Sequence, residues 1–230
     1  ACWTIEAKRK NGRKTRFTCN FLLMCSGYYR YEHGYTPDFP GRERFQGTVI
    51  HPQHWPEDFD YTGKRIVVVG SGATSMTLIP SLTDRAEHVT MLQRSPTYVV
   101  AMPDRDSIAD ALRKYLPKRL AYFLTRMKNV SLAMLMYEVS RRRPKLVRKL
   151  IRAQLKSWLG DKIDIDTHFR PSYNPWDQRL CLVPNGDLFK SLRKGTASVV
   201  TDHIETFTEK GILLQSGQEL EADVIVTATG

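Results

Sequence analysis

The chain has 230 residues, of which 41% are hydrophobic and 26% charged, a composition that excludes a disordered tail and leaves room for one large domain or two small ones. The formal charge is +11, but eight Lys/Arg with no acid lie between Val139 and Gly160, leaving only +3 elsewhere, so a generally basic nucleic-acid-binding surface is set aside. The longest apolar runs, such as "SLAMLMY", are too short to span a bilayer, and no signal-peptide layout opens the sequence.

In chain order, Trp3–Lys8 and Thr15–Cys19 read as strands around Asn11-Gly12, a strong hairpin signal. Phe21–Met24 reads as a short buried strand ending in Cys25-Ser26-Gly27. Residues 28–61, rich in Tyr, Pro, Gly and Asp, have no sustained period and read as an ordered connector. From Arg65 the pattern becomes strand, glycine turn, helix, strand ("RIVVVG", "SGATSMTLIPSLTD", "HVTMLQR"), one βαβ unit. Residues 105–160 are helical in period, broken at Pro117 and Pro144, and form an insertion. Ile108, Leu112, Leu120, Phe123, Leu124 and Met127 share one stripe, and the methionines at 127, 134 and 136 are expected in the core. Within 139–160, Leu146/Val147, Leu150/Ile151, Leu155 and Trp158/Leu159 recur at helical spacing opposite a basic face. That face is a solvated surface or a docking surface for acidic lipid or an acidic partner. Residues 172–186 read as loop, Asp187 as the cap of a helix over Leu188–Arg193, and the remainder as strands, the last being Asp223–Thr227. Four cysteines (Cys2, Cys19, Cys25, Cys181) lack C-x-x-C spacing. Cys25 and Cys181 lie in apolar runs, which points to buried reduced thiols and a cytoplasmic setting.

The loop Gly70-Ser71-Gly72-Ala73-Thr74-Ser75 is a G-x-G-x-x-S motif placed between a β-branched strand and a helix, the context in which it binds a dinucleotide. Gly70 permits the tight turn, Gly72 lets the backbone approach a pyrophosphate, and Ser75 is small enough for close helix–strand packing. The N–H groups at the helix start face the phosphates. At the end of the second strand stand Gln93-Arg94-Ser95, where an acid would receive the ribose of NAD. A guanidinium and a hydroxyl suit a 2′-phosphate instead, so the expected nucleotide is NADP(H). Upstream, His51 and His54 supply only two imidazoles in a proline-rich segment, too few for a metal, and no metal site is expected.

The spacing F-x-G-x-x-x-H-x-x-x-W (Phe45, Gly47, His51, Trp55, followed by Pro56) resembles the fingerprint of flavin-dependent Baeyer–Villiger monooxygenases. Together with "LLMCSGYY", "TMLQRSPTY", "YNPWDQRLCLVPNGDLF" and "ADVIVTATG", the chain resembles the branch containing the ethionamide-activating monooxygenase over essentially its whole length. The resemblance implies an α/β fold: a Rossmann-like three-layer NADP-binding domain with a helical insertion, plus strands belonging to an incomplete FAD domain. It implies a division into 1–27 (FAD-domain piece), 28–61 (linker with the fingerprint), 62–222 (NADP-binding domain) and 223–230 (return strand to the FAD domain). Family members are about twice this length and carry a further G-x-G-x-x-G for FAD, so the chain is expected to be a fragment.

The resemblance further implies NADPH and FAD as cofactors, and a ketone or sulfur-containing small molecule plus dioxygen as reactants, joined through a peroxyflavin. Arg179 aligns with the arginine such enzymes place over the flavin, where a permanent cation stabilises the peroxide. Many relatives carry a lysine just before it that helps hold the 2′-phosphate; here the residue is Gln178, which shifts the NADP preference onto Arg94 and Ser95. The readings left open are a catalytically incomplete NADP(H)-binding module whose basic helix docks on a membrane or partner, and an N- or S-oxygenating flavin monooxygenase.

Overall fold

The run Arg65–Val69 ("RIVVV") is β-branched with no polar face, which is what a strand buried on both sides requires. The computed structural model describes residues 2–25, 27, 30, 32–178 and 180–229. They divide into two units, Ala1–Gly34 and Tyr35–Gly230.

In the first unit, β1 (Trp3–Lys8) pairs antiparallel with β2 (Lys14–Cys19), Trp3 opposite Cys19, around a turn with Gly12 at φ +81°. Phe21–Met24 differs from expectation: it forms no strand, and Phe21, Leu23 and Met24 are exposed within this unit. A buried strand needs a neighbour on each side, and no described residue pairs with this one. Cys25 is likewise exposed, whereas Cys181 is buried, and none of the four cysteines is in a disulfide.

The second unit is built on a five-stranded parallel sheet in the order β3 (Thr48–Ile50), β12 (Val224–Thr227), β4 (Arg65–Val69), β5 (His88–Gln93), β8 (Ala197–Thr201). Alternation assigns the two faces of β4. Ile66 and Val68 join Met91, Val224 and Val226 in one core, while Val67 and Val69 join Leu92 and Ile225 in another. Each of these side chains, nearly inaccessible to water, contributes about 1.5–3 kcal/mol by burial. Helices α1 (Ala73–Leu82), α4 (Pro144–Leu159) and α6 (Asp187–Lys194) cover the first face. An antiparallel meander, β9 (Ile204–Phe207), β10 (Gly211–Leu214) and β11 (Glu219–Glu221), covers the second through Phe207, Ile212, Leu214 and Leu220. The layers are therefore helix, parallel sheet, antiparallel sheet.

Three expectations about connectivity change. The connector 28–61 contains β3, a strand of the parallel sheet. β12, read as returning to another domain, instead lies between β3 and β4 with Val224 opposite both Thr48 and Ile66. An apolar β-branched strand satisfies any parallel sheet equally, so its sequence does not say which sheet it joins. Within the segment read as loop, β7 (Leu180–Pro184) pairs with β6 (Tyr98–Met102) in a separate two-stranded parallel sheet. Asp187 is the first residue of α6 rather than its cap, which is Gly186 in the left-handed region.

In the insertion, α2 (Ser107–Tyr115) and α3 (Lys118–Arg142) are separated at Pro117, and Pro144 opens α4, the position where a missing N–H costs nothing. α4 buries Val147, Ile151, Leu155 and Leu159 against the core. The stripe expected to bury α3 does not: Leu120, Phe123, Leu124 and Met127 are exposed, as are Met134 and Met136. No described helix is long and apolar enough to cross a membrane.

Candidate nucleotide-binding site

Parallel strands deliver their C-terminal ends to one edge of the sheet, and the predicted nucleotide-site residues with described positions follow such an end or line a cavity beside it. His51 follows β3, Gly70 follows β4 and Arg94 follows β5. The edge outside the carboxyl ends of the strands is where open α/β sheets bind ligands.

The two loop glycines have different causes. Gly70 has φ +127°, and a Cβ there would lie 2.6 Å from the carbonyl oxygen of Ala228, so the approach of the chain after β12 requires glycine. Its N–H donates to Leu92 O at 2.8 Å, tying the turn to β5. Gly72 has an ordinary φ of −76°, and its Cβ would meet nothing within 4 Å. Protein packing does not explain it; the open space above it is a cradle that a side chain would fill. Gly72 caps α1 without a side-chain hydrogen bond, so the amides of Ala73, Thr74 and Ser75 are available to an anion. Ser71, half-buried, continues the turn, and its carbonyl faces the buried Cys181. Ser75 is fully buried directly beneath Gly70. Its Oγ has no hydrogen-bond partner among the described residues, which fits a residue chosen for size.

Arg94 is positioned from below. Gln93 is 2% exposed, and its Nε2 donates to the His168 carbonyl at 2.7 Å and to Thr201 Oγ1 at 2.8 Å. A carbonyl accepts only, so the amide orientation of Gln93 is fixed. Thr201 Oγ1 also lies 2.8 Å from His168 Nδ1, completing the network. Burial holds the His168 pKa below the usual value and so favours the neutral imidazole, with nearby Asp164 opposing. The end of β5 is thereby fastened to β8 and to α5 (Ile165–His168).

Arg94 and Ser95 open into a cavity of about 520 Å³, within the range of ligand pockets, roughly 300–1,000 Å³. Gln178, also predicted, lies in its wall. Sequence reasoning missed Arg148 and Arg170, which line it too. The described lining contains no carboxylate. Tyr173 completes the wall, held by Thr97 Oγ1 at 3.0 Å and by the Tyr98 hydroxyl, which donates to its carbonyl at 2.7 Å. Burial raises the Tyr98 pKa, and neighbouring Arg148 lowers it. A signal for Arg148 did exist: it is one residue from buried Val147 and three from buried Ile151, the inner margin of the basic face. Other cations of that run are spent on ion pairs, Arg141 with Asp177 and Arg152 with Asp166. Arg179 lies outside the described residues.

The fingerprint staples the sheet's edge strand. Before β3, Phe45 is buried in the antiparallel-layer core, edge-to-face with Phe207 at 6.4 Å. After β3, Trp55 packs on the helical-layer core, edge-to-face with Phe59 and Tyr61 at 6.2 and 6.1 Å. Both aromatic anchors therefore grip the same unit, rather than two bodies as a linker would suggest. Gly47 is required by crowding, its Cβ falling 2.5 Å from both Asp223 O and the Phe45 ring. Pro56 stays exposed and accepts from Phe59 N at 3.2 Å. His51 Nδ1 accepts from Gln53 N at 3.2 Å, which leaves its proton on Nε2. That Nε2 is buried without a partner among the described residues.

Residues 2–230 match the profile of a family described as FMO-like, flavin-binding monooxygenase-like. The chain is 54% identical over 229 residues to the FAD-containing monooxygenase EthA of Mycolicibacterium smegmatis, covering 99% of this chain and 46% of that protein. It thus spans about half the length of the curated relatives it matches. A solved cyclohexanone monooxygenase with ε-caprolactone bound, in its Loose conformation, superposes with TM-score 0.71 at 20% identity, over 99% of this chain and 51% of that one. An oxidized steroid monooxygenase bound to NADP gives TM-score 0.67 at 19% identity, over 100% and 51%. At these identities the two structures speak for the fold alone.

Proposed function

Because the chain belongs to the flavin-binding monooxygenase-like family, we propose that it is the NADP(H)-binding part of an FAD- and NADPH-dependent monooxygenase of Baeyer–Villiger type. Such an enzyme inserts one oxygen of dioxygen beside a ketone or oxidises a sulfur. The single observation that carries the reading is the carboxylate-free cavity of Arg94, Ser95 and Gln178 at the end of β5, beside the open glycine Gly72 at the end of β4.

The residues fit the nucleotide. Backbone amides of Ala73, Thr74 and Ser75 would hold the pyrophosphate, and Arg94 and Ser95 the 2′-phosphate. When bound, NADPH supplies hydride and FAD supplies the oxygen-activating chemistry. The chain's own residues bind and orient: Gly72 admits the pyrophosphate backbone-close, and the buried Gln93 network keeps Arg94 aimed at the cavity. To Arg179, on the resemblance alone, we assign stabilisation of negative charge developing on oxygen, since a guanidinium stays charged at any working pH. The buried Nε2–H of His51 is a donor at the same sheet edge, suited to orienting a group brought there by the nucleotide or the flavin. The hairpin unit Ala1–Gly34 is assigned to the flavin-binding part, on the same resemblance.

Titration of the chain with NADP+ and NAD+ at one fixed ionic strength tests this. NADP+ is expected to bind at least about tenfold more tightly, the value of one charge-assisted contact. Equal or reversed preference sinks it.

A second reading, peripheral docking on an anionic membrane, is favoured by α3. Eleven of its large apolar side chains are exposed, including Tyr122, Phe123 and Leu135. The helix carries six Lys/Arg against the single acid Glu138. Apolar area together with cations is what anionic bilayers attract. Salt-sensitive co-sedimentation with phosphatidylserine vesicles supports docking; no sedimentation assigns this face to the remainder of a longer chain.

A further inference from the structure

Gln178 occupies the place where many relatives of the resembled family carry a lysine. We propose that Arg148 and Arg170 supply the 2′-phosphate-binding charge that Gln178 lacks, so that the helical insertion itself forms one wall of nucleotide recognition. This rests on the reading of the cavity as an NADP(H) site.

Four observations carry it. Arg148 and Arg170 line the same cavity as Arg94, Ser95 and Gln178. Arg148 is half-buried and has no carboxylate partner among the described residues, whereas its neighbours in the basic run, Arg141 and Arg152, do. A half-buried guanidinium without a carboxylate partner, beside a cavity, remains available to an anion. Arg170 has only a weak tether, 3.9 Å from Asp166 Oδ1, because that carboxylate is already gripped by both Arg152 nitrogens at 2.6 and 3.2 Å. Finally, both residues sit on anchored backbone. Arg170 lies between buried Phe169 and Pro171. Arg148 rides on α4, whose register is fixed where Gln154 clamps β6: Ala101 N donates to its Oε1 at 3.0 Å, and its Nε2 donates to Ala101 O at 3.1 Å.

A phosphate monoester near neutral pH carries between one and two negative charges and three acceptor oxygens, enough for several guanidinium contacts. Arg94 approaches from β5, Arg148 from α4 and Arg170 from the segment after α5. Three elements far apart in sequence then close on one phosphate.

The test titrates the full chain with NADP+, NAD+ and 2′,5′-ADP. Wild type, Arg148→Ala, Arg170→Ala, the double variant, and the double variant with Gln178→Lys are compared. Each single substitution is expected to weaken NADP+ and 2′,5′-ADP by about tenfold or more while leaving NAD+ within about twofold; the lysine restores at least part of the loss. Unchanged NAD+ binding doubles as the check that α4 still folds, and exposed Arg170 gives a variant with little folding risk. If wild type prefers NADP+ but neither variant alters that preference, this inference falls while the Arg94 site stands. If the variants lose NADP+ and NAD+ together and the lysine rescues nothing, the arginines are structural and the inference falls. No preference in wild type removes the site reading itself.

Discussion

Replacing Gln93 by leucine, close in volume, should both destabilise the fold and loosen the nucleotide site. The wild-type amide makes two buried hydrogen bonds, to His168 O at 2.7 Å and Thr201 Oγ1 at 2.8 Å. Leucine removes both, each worth about 1 kcal/mol net, and orphans the His168 carbonyl at a further cost of about 1–3 kcal/mol. Thr201 retains His168 Nδ1, so its hydroxyl is not stranded. The expected loss is about 3–5 kcal/mol, or roughly 6–20 °C in Tm for a chain of this size. Urea and thermal unfolding by circular dichroism measure it, and NADP+ titration of the variant should show weaker binding because Arg94 has lost the anchor beneath it. A destabilisation under about 0.5 kcal/mol would refute the reasoning, since that is the scale of a surface substitution without buried partners.

Gly70→Ala is expected to cost at least about 2 kcal/mol, because φ +127° is closed to alanine and the new Cβ would meet Ala228 O at 2.6 Å, whereas Gly72→Ala should leave unfolding unchanged and weaken NADP+ alone. Paired unfolding and binding curves separate the two glycines. The neutral His168 gives a pH dependence of known sign. Burial depresses its folded pKa, so its contribution is complete above the unfolded value, about 6.5, and is lost as pH falls from there through the folded value. Urea unfolding between about pH 7 and pH 5 should show that decline, and His168→Gln should flatten it. The carboxylates whose pKa is lowered by hydrogen bonds, Asp164 and Asp223 among them, lose their contributions only at more acid pH, which leaves this window to the imidazole.

Much of the site was legible because its pieces are local. The βαβ unit announces itself in a β-branched run, two glycines and a helix start within a dozen residues, and Arg94 follows the next strand directly. The fingerprint spacing was legible as a pattern, but its physical cause is three-dimensional: Phe45 and Trp55 pin opposite faces of the sheet on either side of β3. Arg148 and Arg170 were hidden because lining one cavity with Arg94 depends on how α4 and the segment after α5 pack beside the end of β5, more than fifty residues away in sequence. β7 was obscured by its short length, its terminal Pro184 and loop-forming residues on both sides. The apolar stripe of α3 misled for the opposite reason: periodicity reports a surface that seeks cover, and in the described residues that cover is not supplied.

A structure of the chain crystallised with NADP+ would show whether this sheet edge holds a 2′-phosphorylated dinucleotide. The pyrophosphate is expected over the amides of Ala73–Ser75 and the 2′-phosphate within hydrogen-bond distance of the Arg94 guanidinium. A phosphate bound elsewhere, with Arg94 turned to solvent, would contradict it.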